Sequence, residues 1–183
     1  NDQTEEAIAL CQAAIGESPD RFELRQFYIE ILIRQFDFET ATKEIKACMG
    51  ANIGDQSYLY TCLGRIELAK DNAQQAILAF TKAIECSEEG EVPFELRGDA
   101  YMRAQQFELA RDDYSTEIEN EFQGMAPPTL IIKRIDSLIA VGDISSALDD
   151  AHQVVRVTPR DPRAEAVLAL LIASTPNDDA RNG

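Results

Sequence analysis

An alanine recurs along this chain at intervals of 34 to 37 residues. A period in this range indicates stacked copies of one small structural unit rather than a single globular core. The sequence therefore predicts a repeat array, and each unit cannot bury its apolar face without a neighbour. The recurring positions are Ala7, Ala41, Ala76, Ala110 and Ala147.

Each unit reads as two helical segments with a short break between them. In residues 57–90 the second segment carries Ala76, Ile77, Phe80 and Ala83, the i, i+3/i+4, i+7 spacing of one buried helix face. An Asp or Asn in the break can cap the helix that follows. The breaks are the pairs 36–37, 71–72, 105–106 and 142–143.

The small residues on either side of the break predict a close crossing of two antiparallel helices. We expect Gly64 and Ala76 to occupy that crossing from opposite sides, where only a small side chain fits. Leu63 and Phe80 would then fill the wider space beside it.

The pattern places ten helices in the chain. The loops are expected at 86–93 and 120–128, and residues 175–183 are expected to be a frayed tail. The predicted helices are 3–16, 21–35, 38–50, 55–70, 73–87, 92–105, 107–121, 128–141, 144–157 and 161–174.

The unit at 57–90 resembles the tetratricopeptide repeat family, and the resemblance extends over residues 3–160. The residues that carry it are Tyr60, Leu63, Gly64, Asp71, Ala76, Phe80 and Ala83. The resemblance implies an all-α, right-handed superhelical solenoid of antiparallel helix hairpins. It implies one repeat array over 1–174, with half units at 1–21 and 162–174 and full units at 22–56, 57–90, 91–127 and 128–161. Ile29, Glu117 and Ile135 depart from the family pattern and predict locally altered packing.

Composition narrows the function. The net charge of −16 disfavours direct binding of nucleic acid or of an anionic membrane surface, because both need a positive face. The sequence has no run of about 18 apolar residues and no signal peptide, so we expect no membrane insertion and a cytoplasmic location. The chain begins at Asn1, and we expect it to be a fragment or processed form that further repeats could extend.

No motif for catalysis, metal or cofactor binding occurs in the sequence. The four cysteines form no CxxC pair, and His152 is the only histidine. Acidic pairs such as Glu117 and Glu121 are typical of a solvated helix face and lack the spacing of a calcium loop. We therefore expect no enzyme, no cofactor and no metal site.

The resemblance implies that the first helix of each unit lines a concave groove that binds a protein or peptide segment. The partner would offer both apolar and charged anchors. Binding of acidic Hsp70 or Hsp90 tails is disfavoured, because at the family's clamp positions only Arg65 has a suitable charge. The groove residues carried over are Glu30, Arg34, Tyr58, Arg65, Asp99, Met102, Arg103 and Asp136.

Self-assembly is the alternative function that the sequence leaves open. The last segment, 162–174, is apolar on more sides than a terminal helix needs. One side should cover the preceding helices, and the other could contact a second copy of the chain. The residues expected in such a contact are Leu168, Leu171 and Ile172.

Overall fold

The computed structural model describes residues 2–87, 92–122, 126–160 and 162–174. That part of the chain forms ten α-helices and contains no β-strand. The helices are α1 Asp2–Glu17, α2 Phe22–Arg34, α3 Phe38–Ala51, α4 Gln56–Ala69, α5 Ala73–Cys86, α6 Phe94–Arg103, α7 Phe107–Phe122, α8 Pro128–Val141, α9 Ile144–Val157 and α10 Pro162–Ser174.

The helix prediction is confirmed, and every boundary lies within two residues of its predicted position. The largest difference is α6, which covers Phe94–Arg103 where 92–105 is predicted. The predicted tail at 175–183 lies outside the described residues. The same is true of 88–91 and 123–125 within the two predicted loops.

The helices group into two compact units. Asn1–Pro93 holds α1 to α5, and Phe94–Gly183 holds α6 to α10. Within each unit every helix packs against the next one along the chain. Such sequential packing is what an all-α helical repeat solenoid requires. One continuous array over 1–174 stays a prediction.

The turns inside the hairpins share one hydrogen-bonding pattern. After α2, the Phe36 N–H donates to the Ile33 carbonyl at 3.1 Å and the Asp37 N–H donates to the Leu32 carbonyl at 2.9 Å. This pair of bonds defines a Schellman turn, whose central residue adopts a left-handed conformation. Its φ is 60° at Phe36, and the same bonds and positive φ occur at Asp71, Gln105 and Gly142.

The predicted breaks therefore end one helix and begin the next. The Asp37 carboxylate accepts the Thr40 N–H at 3.1 Å, which caps α3, and Asp143 caps α9 in the same way. Asn72 does not cap α5. Its side-chain amide instead donates to Glu67 at 2.9 Å, so at this break the capping prediction is wrong.

Glycine and an aromatic ring pack against each other inside two hairpins. A Cβ placed on Gly64 would lie 2.6 Å from Phe80 Cδ1, and one on Gly98 would lie 2.6 Å from Tyr114 Cε1. The Phe80 ring thus occupies the space that a side chain at Gly64 would need, rather than space beside it as predicted. Ala76 is fully buried, in agreement with the prediction.

In each of two hairpins of the second unit, an ion pair also joins the two helices. Arg97 on α6 donates two hydrogen bonds of 2.7 Å to Asp113 on α7. Arg134 on α8 binds Asp150 on α9 with the same two-pronged geometry, at 2.8 and 2.7 Å. The two aspartates are buried, so each carboxylate depends on its arginine for compensation.

Candidate functional site

The eight predicted groove residues are divided equally between the two units. The α2–α4 surface of the first unit carries Glu30, Arg34, Tyr58 and Arg65. The α6–α8 surface of the second unit carries Asp99, Met102, Arg103 and Asp136. All eight lie on the first helix of their hairpins.

On the α2–α4 surface, three of the four predicted residues form one hydrogen-bonded cluster. Arg65 donates from Nη1 to Glu30 Oε1 at 2.7 Å and from Nη2 to Oε2 at 3.2 Å. The Tyr58 hydroxyl donates to the same Oε1 at 3.1 Å. The cluster joins α2 to α4 and therefore links two successive hairpins.

The contacts within this cluster stabilise the ionised forms of Glu30 and Arg65. Partial burial disfavours the Glu30 carboxylate, but the Arg65 guanidinium outweighs that effect and lowers the pKa of Glu30. The hydrogen bond to Glu30 raises the pKa of Arg65. Behind them, burial raises the pKa of the Cys62 thiol to about 11, so this cysteine stays protonated and unreactive at neutral pH. Arg65 is thus already paired within the chain.

Arg34 differs from the other three because its side chain is exposed. It lies in the last turn of α2, where a cation is favoured by the helix dipole. Beside it is a small cavity of about 250 Å³ between α1 and α2. The other residues lining that cavity are Gln3, Thr4, Ala7, Ile31 and Gln35.

On the α6–α8 surface, a lysine absent from the prediction is the central residue. Lys133 Nζ on α8 lies 2.7 Å from Glu95 Oε1 and 2.7 Å from Asp99 Oδ2, both on α6. The Tyr114 hydroxyl donates to the other oxygen of Asp99 at 2.9 Å. Burial opposes the charge of Lys133, but the hydrogen bonds to the two carboxylates outweigh it and raise the pKa of Lys133.

Asp136 adds a third carboxylate to this surface. Its side chain is exposed, yet the surrounding protein removes part of its hydration and raises the pKa of its carboxyl group. Burial raises the pKa of the Tyr114 hydroxyl, and the charges of Asp99, Glu95 and Asp136 raise it further. Among the described residues no hydrogen bond is made to Asp136. Two carboxylates therefore bind the Lys133 ammonium group, and a third, Asp136, acts on the same Tyr114 hydroxyl as Asp99 and Glu95.

The remaining two predicted residues of this surface have different surroundings. Met102 is half-buried and packs against the core of the second unit, which contains Leu130, Ile131 and Ile135. Arg103 is exposed in the last turn of α6. Met102 thus offers part of an apolar side chain close to charged neighbours.

The prediction missed Lys133, although the sequence contains a signal for it. Residues one repeat period apart, or one helical turn from that spacing, lie close together on neighbouring first helices. Opposite charges at that spacing, such as Glu30 and Arg65 or Asp99 and Lys133, are therefore candidates for pairing. The ligand-facing places implied by the family do not include Lys133, which explains the omission.

The residues expected to mediate self-association lie at different depths on α10. Leu171 is 2% exposed and belongs to the core of the second unit, while Leu168 packs partly against that core. Ile172 is 54% exposed. Leu171 is therefore not accessible to a second copy in this structure, and Ile172 is.

A second cavity, of about 450 Å³, lies among α7, α8 and α9. It is polar, and both arginines in its lining are already paired. Arg111 donates to Asp112, and Arg134 donates to Asp150. These pairs neutralise the charges that would otherwise attract an anion. The other residues lining this cavity are Ser115, Leu138, Asp143, Ser146 and Asp149.

The described residues lack two kinds of functional element, a metal-binding cluster and a membrane-spanning helix. No group of three or more His, Cys, Asp or Glu side chains there is arranged to hold a metal ion. Within the same residues, no helix has both the length and the apolar character needed to cross a membrane.

Comparison with known proteins gives similarity at the level of structure. No protein-family model matches the sequence, and no curated protein matches it either. Among solved structures, the chain is similar to YrrB, described as a TPR protein with an unusual peptide-binding site. The TM-score is 0.74 at 18% identity, over 89% of this chain and 82% of that one.

Two further structures extend the comparison. A thermophilic TPR protein of Thermus thermophilus gives a TM-score of 0.64 at 15% identity, covering 94% of this chain and 92% of that one. The second TPR domain of human RPAP3, solved with an HSP70 peptide, gives 0.52 at 17% identity. This match covers 63% of the present chain and 97% of the domain. Together with the repeated hairpins and their Schellman turns, these similarities show that the chain has the tetratricopeptide repeat fold.

Proposed function

We propose that this chain is a non-catalytic protein-interaction scaffold that binds a peptide or protein segment along its first helices. The observation that carries the proposal is the α6–α8 surface. There, the three carboxylates of Glu95, Asp99 and Asp136 outnumber two cations, Lys133 and Arg103. Met102 offers apolar area on the same surface. Unbalanced charge beside apolar area suits a segment with both kinds of anchor.

The proposed segment carries a lysine or arginine close to an apolar side chain. Its cation would pair with Asp136, whose carboxylate has lost part of its hydration without gaining a partner among the described residues. Glu95 and Asp99 are less available, because Lys133 already binds both. On the α2–α4 surface, the corresponding exposed charged side chain is Arg34.

Two neighbours in the structural comparison support a peptide as the ligand. YrrB is described as having a peptide-binding site, and the human RPAP3 domain was solved with an HSP70 peptide. An acidic Hsp70 or Hsp90 tail nevertheless remains disfavoured for this chain. Arg65 is the only cation at the predicted clamp positions, and it is bound to Glu30. A cytoplasmic location, as expected from the sequence, belongs to the same proposal.

A random-peptide display library, selected against the whole chain, provides the test. Peptides that bind would be synthesised and titrated against Asp136→Lys, with Glu119→Lys as the control. Both changes reverse one exposed acidic charge, but Glu119 lies on α7, a second helix. We expect enriched peptides to carry basic and apolar residues, and Asp136→Lys to weaken them by roughly tenfold or more.

The control separates a local contact from the effect of net charge. If both variants weaken binding equally, only the overall charge of the chain acts, and the proposed site is wrong. Asp136 is a sharper probe than Asp99, because Asp99 also accepts hydrogen bonds from Tyr114 and Lys133. Reversing the charge of Asp99 would disturb the fold as well as the surface.

Self-association through α10 is the second candidate function. It is favoured by apolar side chains that face solvent in the second unit: Ile172 is 54% exposed and Val157 is 62% exposed. Light scattering over a concentration series, with Ile172→Ser as the variant, tests it. A parent chain that stays monomeric at the highest concentration would remove this candidate.

A further inference from the structure

The turn between α2 and α3 has an unusual residue at its centre. Phe36 has a φ of 60°, in the left-handed region, and its side chain is 75% exposed. This backbone conformation is unfavourable for any residue with a bulky side chain. The equivalent places in the other three turns hold Asp71, Gln105 and Gly142, which are polar or glycine.

The fold itself does not require the ring. The Schellman bonds at this turn are made by backbone groups, and the other turns make the same bonds with other residues at the centre. The Phe36 ring packs edge to face against the ring of Phe38, with ring centroids 5.8 Å apart and an angle of 77°. A residue that is unfavourable for its turn and mostly exposed contributes little to folding, so its benefit must lie elsewhere.

The surroundings of the two rings define a small docking surface. Lys70 Nζ lies 5.9 Å from the centroid of the Phe38 ring, so the α4–α5 turn adjoins the α2–α3 turn. Lys70 also pairs with Glu67 at 3.3 Å, which neutralises its charge. On the chain segment that carries the two rings, the carboxylates of Asp37 and Glu39 outnumber the one cation, Arg34. The surface is therefore aromatic at its centre and acidic around it.

We propose that Phe36 and Phe38 form a docking surface for a protein segment that carries apolar side chains flanked by lysine or arginine. The aromatic rings supply the apolar contact, as anchors of this kind do at many interfaces. The acidic surroundings select basic flanks through charge complementarity. A second copy of this chain would place the same acidic surface against itself, so charge opposes that occupant.

This surface is separate from the first-helix residues of the proposed function. The experiment begins with a random-peptide display library selected on the whole chain, with counter-selection on Phe36→Gly. Glycine adopts the left-handed conformation readily, so the variant keeps the turn and removes only the ring. Gln105→Gly makes the same change at the equivalent turn of the second unit and is the matched control.

We expect peptides with apolar and basic residues whose affinity falls by roughly tenfold or more on Phe36→Gly and is unchanged on Gln105→Gly. Asp136→Lys should leave these peptides bound, which separates this surface from the proposed function. Phe36→Gly should melt at the same temperature as the parent or higher. Phe36→Asn gives a second variant, because asparagine is also tolerated at this φ.

Any of three results would overturn the proposal. The selection could return no peptide that distinguishes the parent from Phe36→Gly, or return only acidic ones. The melting temperature of Phe36→Gly could fall, which would make the ring a structural residue. Light scattering could show a dimer of the parent that Phe36→Gly dissociates, which would make the occupant a second copy.

Discussion

Arg65 and Glu30 lie 35 positions apart in the chain and form a two-pronged ion pair between α4 and α2. The pair connects equivalent places of successive units, so it stabilises the stacking of one hairpin on the next. It also engages the guanidinium group of Arg65, which the sequence predicts to bind a ligand. This contact thus gives Arg65 a part in assembly, while its part in ligand binding stays a prediction.

The strength of this pair can be measured by a double-mutant cycle with Arg65→Ala and Glu30→Ala. The side chains are 34% and 24% exposed, so solvent screens part of the attraction. We expect a coupling free energy of about 0.5–1 kcal/mol from urea unfolding. Coupling indistinguishable from zero would mean that the pair does not stabilise the stacking.

Acid should weaken the fold through Glu30. The pKa of Glu30 is lowered in the folded chain, so the contribution is complete above its unfolded value of about 4.3 and is lost as the pH falls through the folded pKa. Glu30→Gln should therefore lose less stability than the parent between about pH 5 and pH 3. Urea unfolding at several pH values measures this. Glu23→Gln, an exposed glutamate on the same helix, should behave like the parent.

Glycine at position 64 should be required by packing. Gly64→Ala would force the Phe80 ring to move, and we expect the free energy of unfolding to fall by about 1–3 kcal/mol. Gly50→Ala is the control, because a Cβ at Gly50 in α3 meets no atom within 4 Å. That change should instead raise stability by about 0.5–1 kcal/mol. Equal effects from the two substitutions would contradict the packing argument.

The other small residue of this hairpin should be equally sensitive to size. Ala76 is fully buried, and Ala76→Leu should overpack the hairpin and lower the free energy of unfolding by about 1–3 kcal/mol. Ala47→Leu makes the same change on an exposed face of α3 and should shift stability by less than about 0.5 kcal/mol. An unchanged or higher melting temperature for Ala76→Leu would show that the crossing has spare room.

The features that the sequence predicts well are the local ones. The pairs at 36–37 and 142–143 end one helix and cap the next through bonds that span only a few residues. Helix boundaries therefore follow directly from residue type. The contact between Gly64 and Phe80 is nearly as easy to predict, because the 16-residue spacing recurs at Gly98 and Tyr114.

The pairing of charged side chains is harder to predict. Lys133 binds Glu95 and Asp99 because α8 lies beside α6, and no pattern within one helix reveals that neighbour. Which side of α10 is buried cannot be predicted, for another reason. Its sequence is apolar on nearly every side, so periodicity does not distinguish the buried Leu171 from the exposed Ile172.

Two tyrosine hydroxyls donate to carboxylates on the candidate surfaces, Tyr58 to Glu30 and Tyr114 to Asp99. The chain contains five tyrosines and no tryptophan, so its ultraviolet emission comes from tyrosine alone. A phenol that donates to a carboxylate can lose its proton in the excited state, and its emission is then quenched. A ligand that draws either carboxylate away from its tyrosine would increase the tyrosine fluorescence. Each unit therefore contains a tyrosine whose fluorescence can report ligand binding.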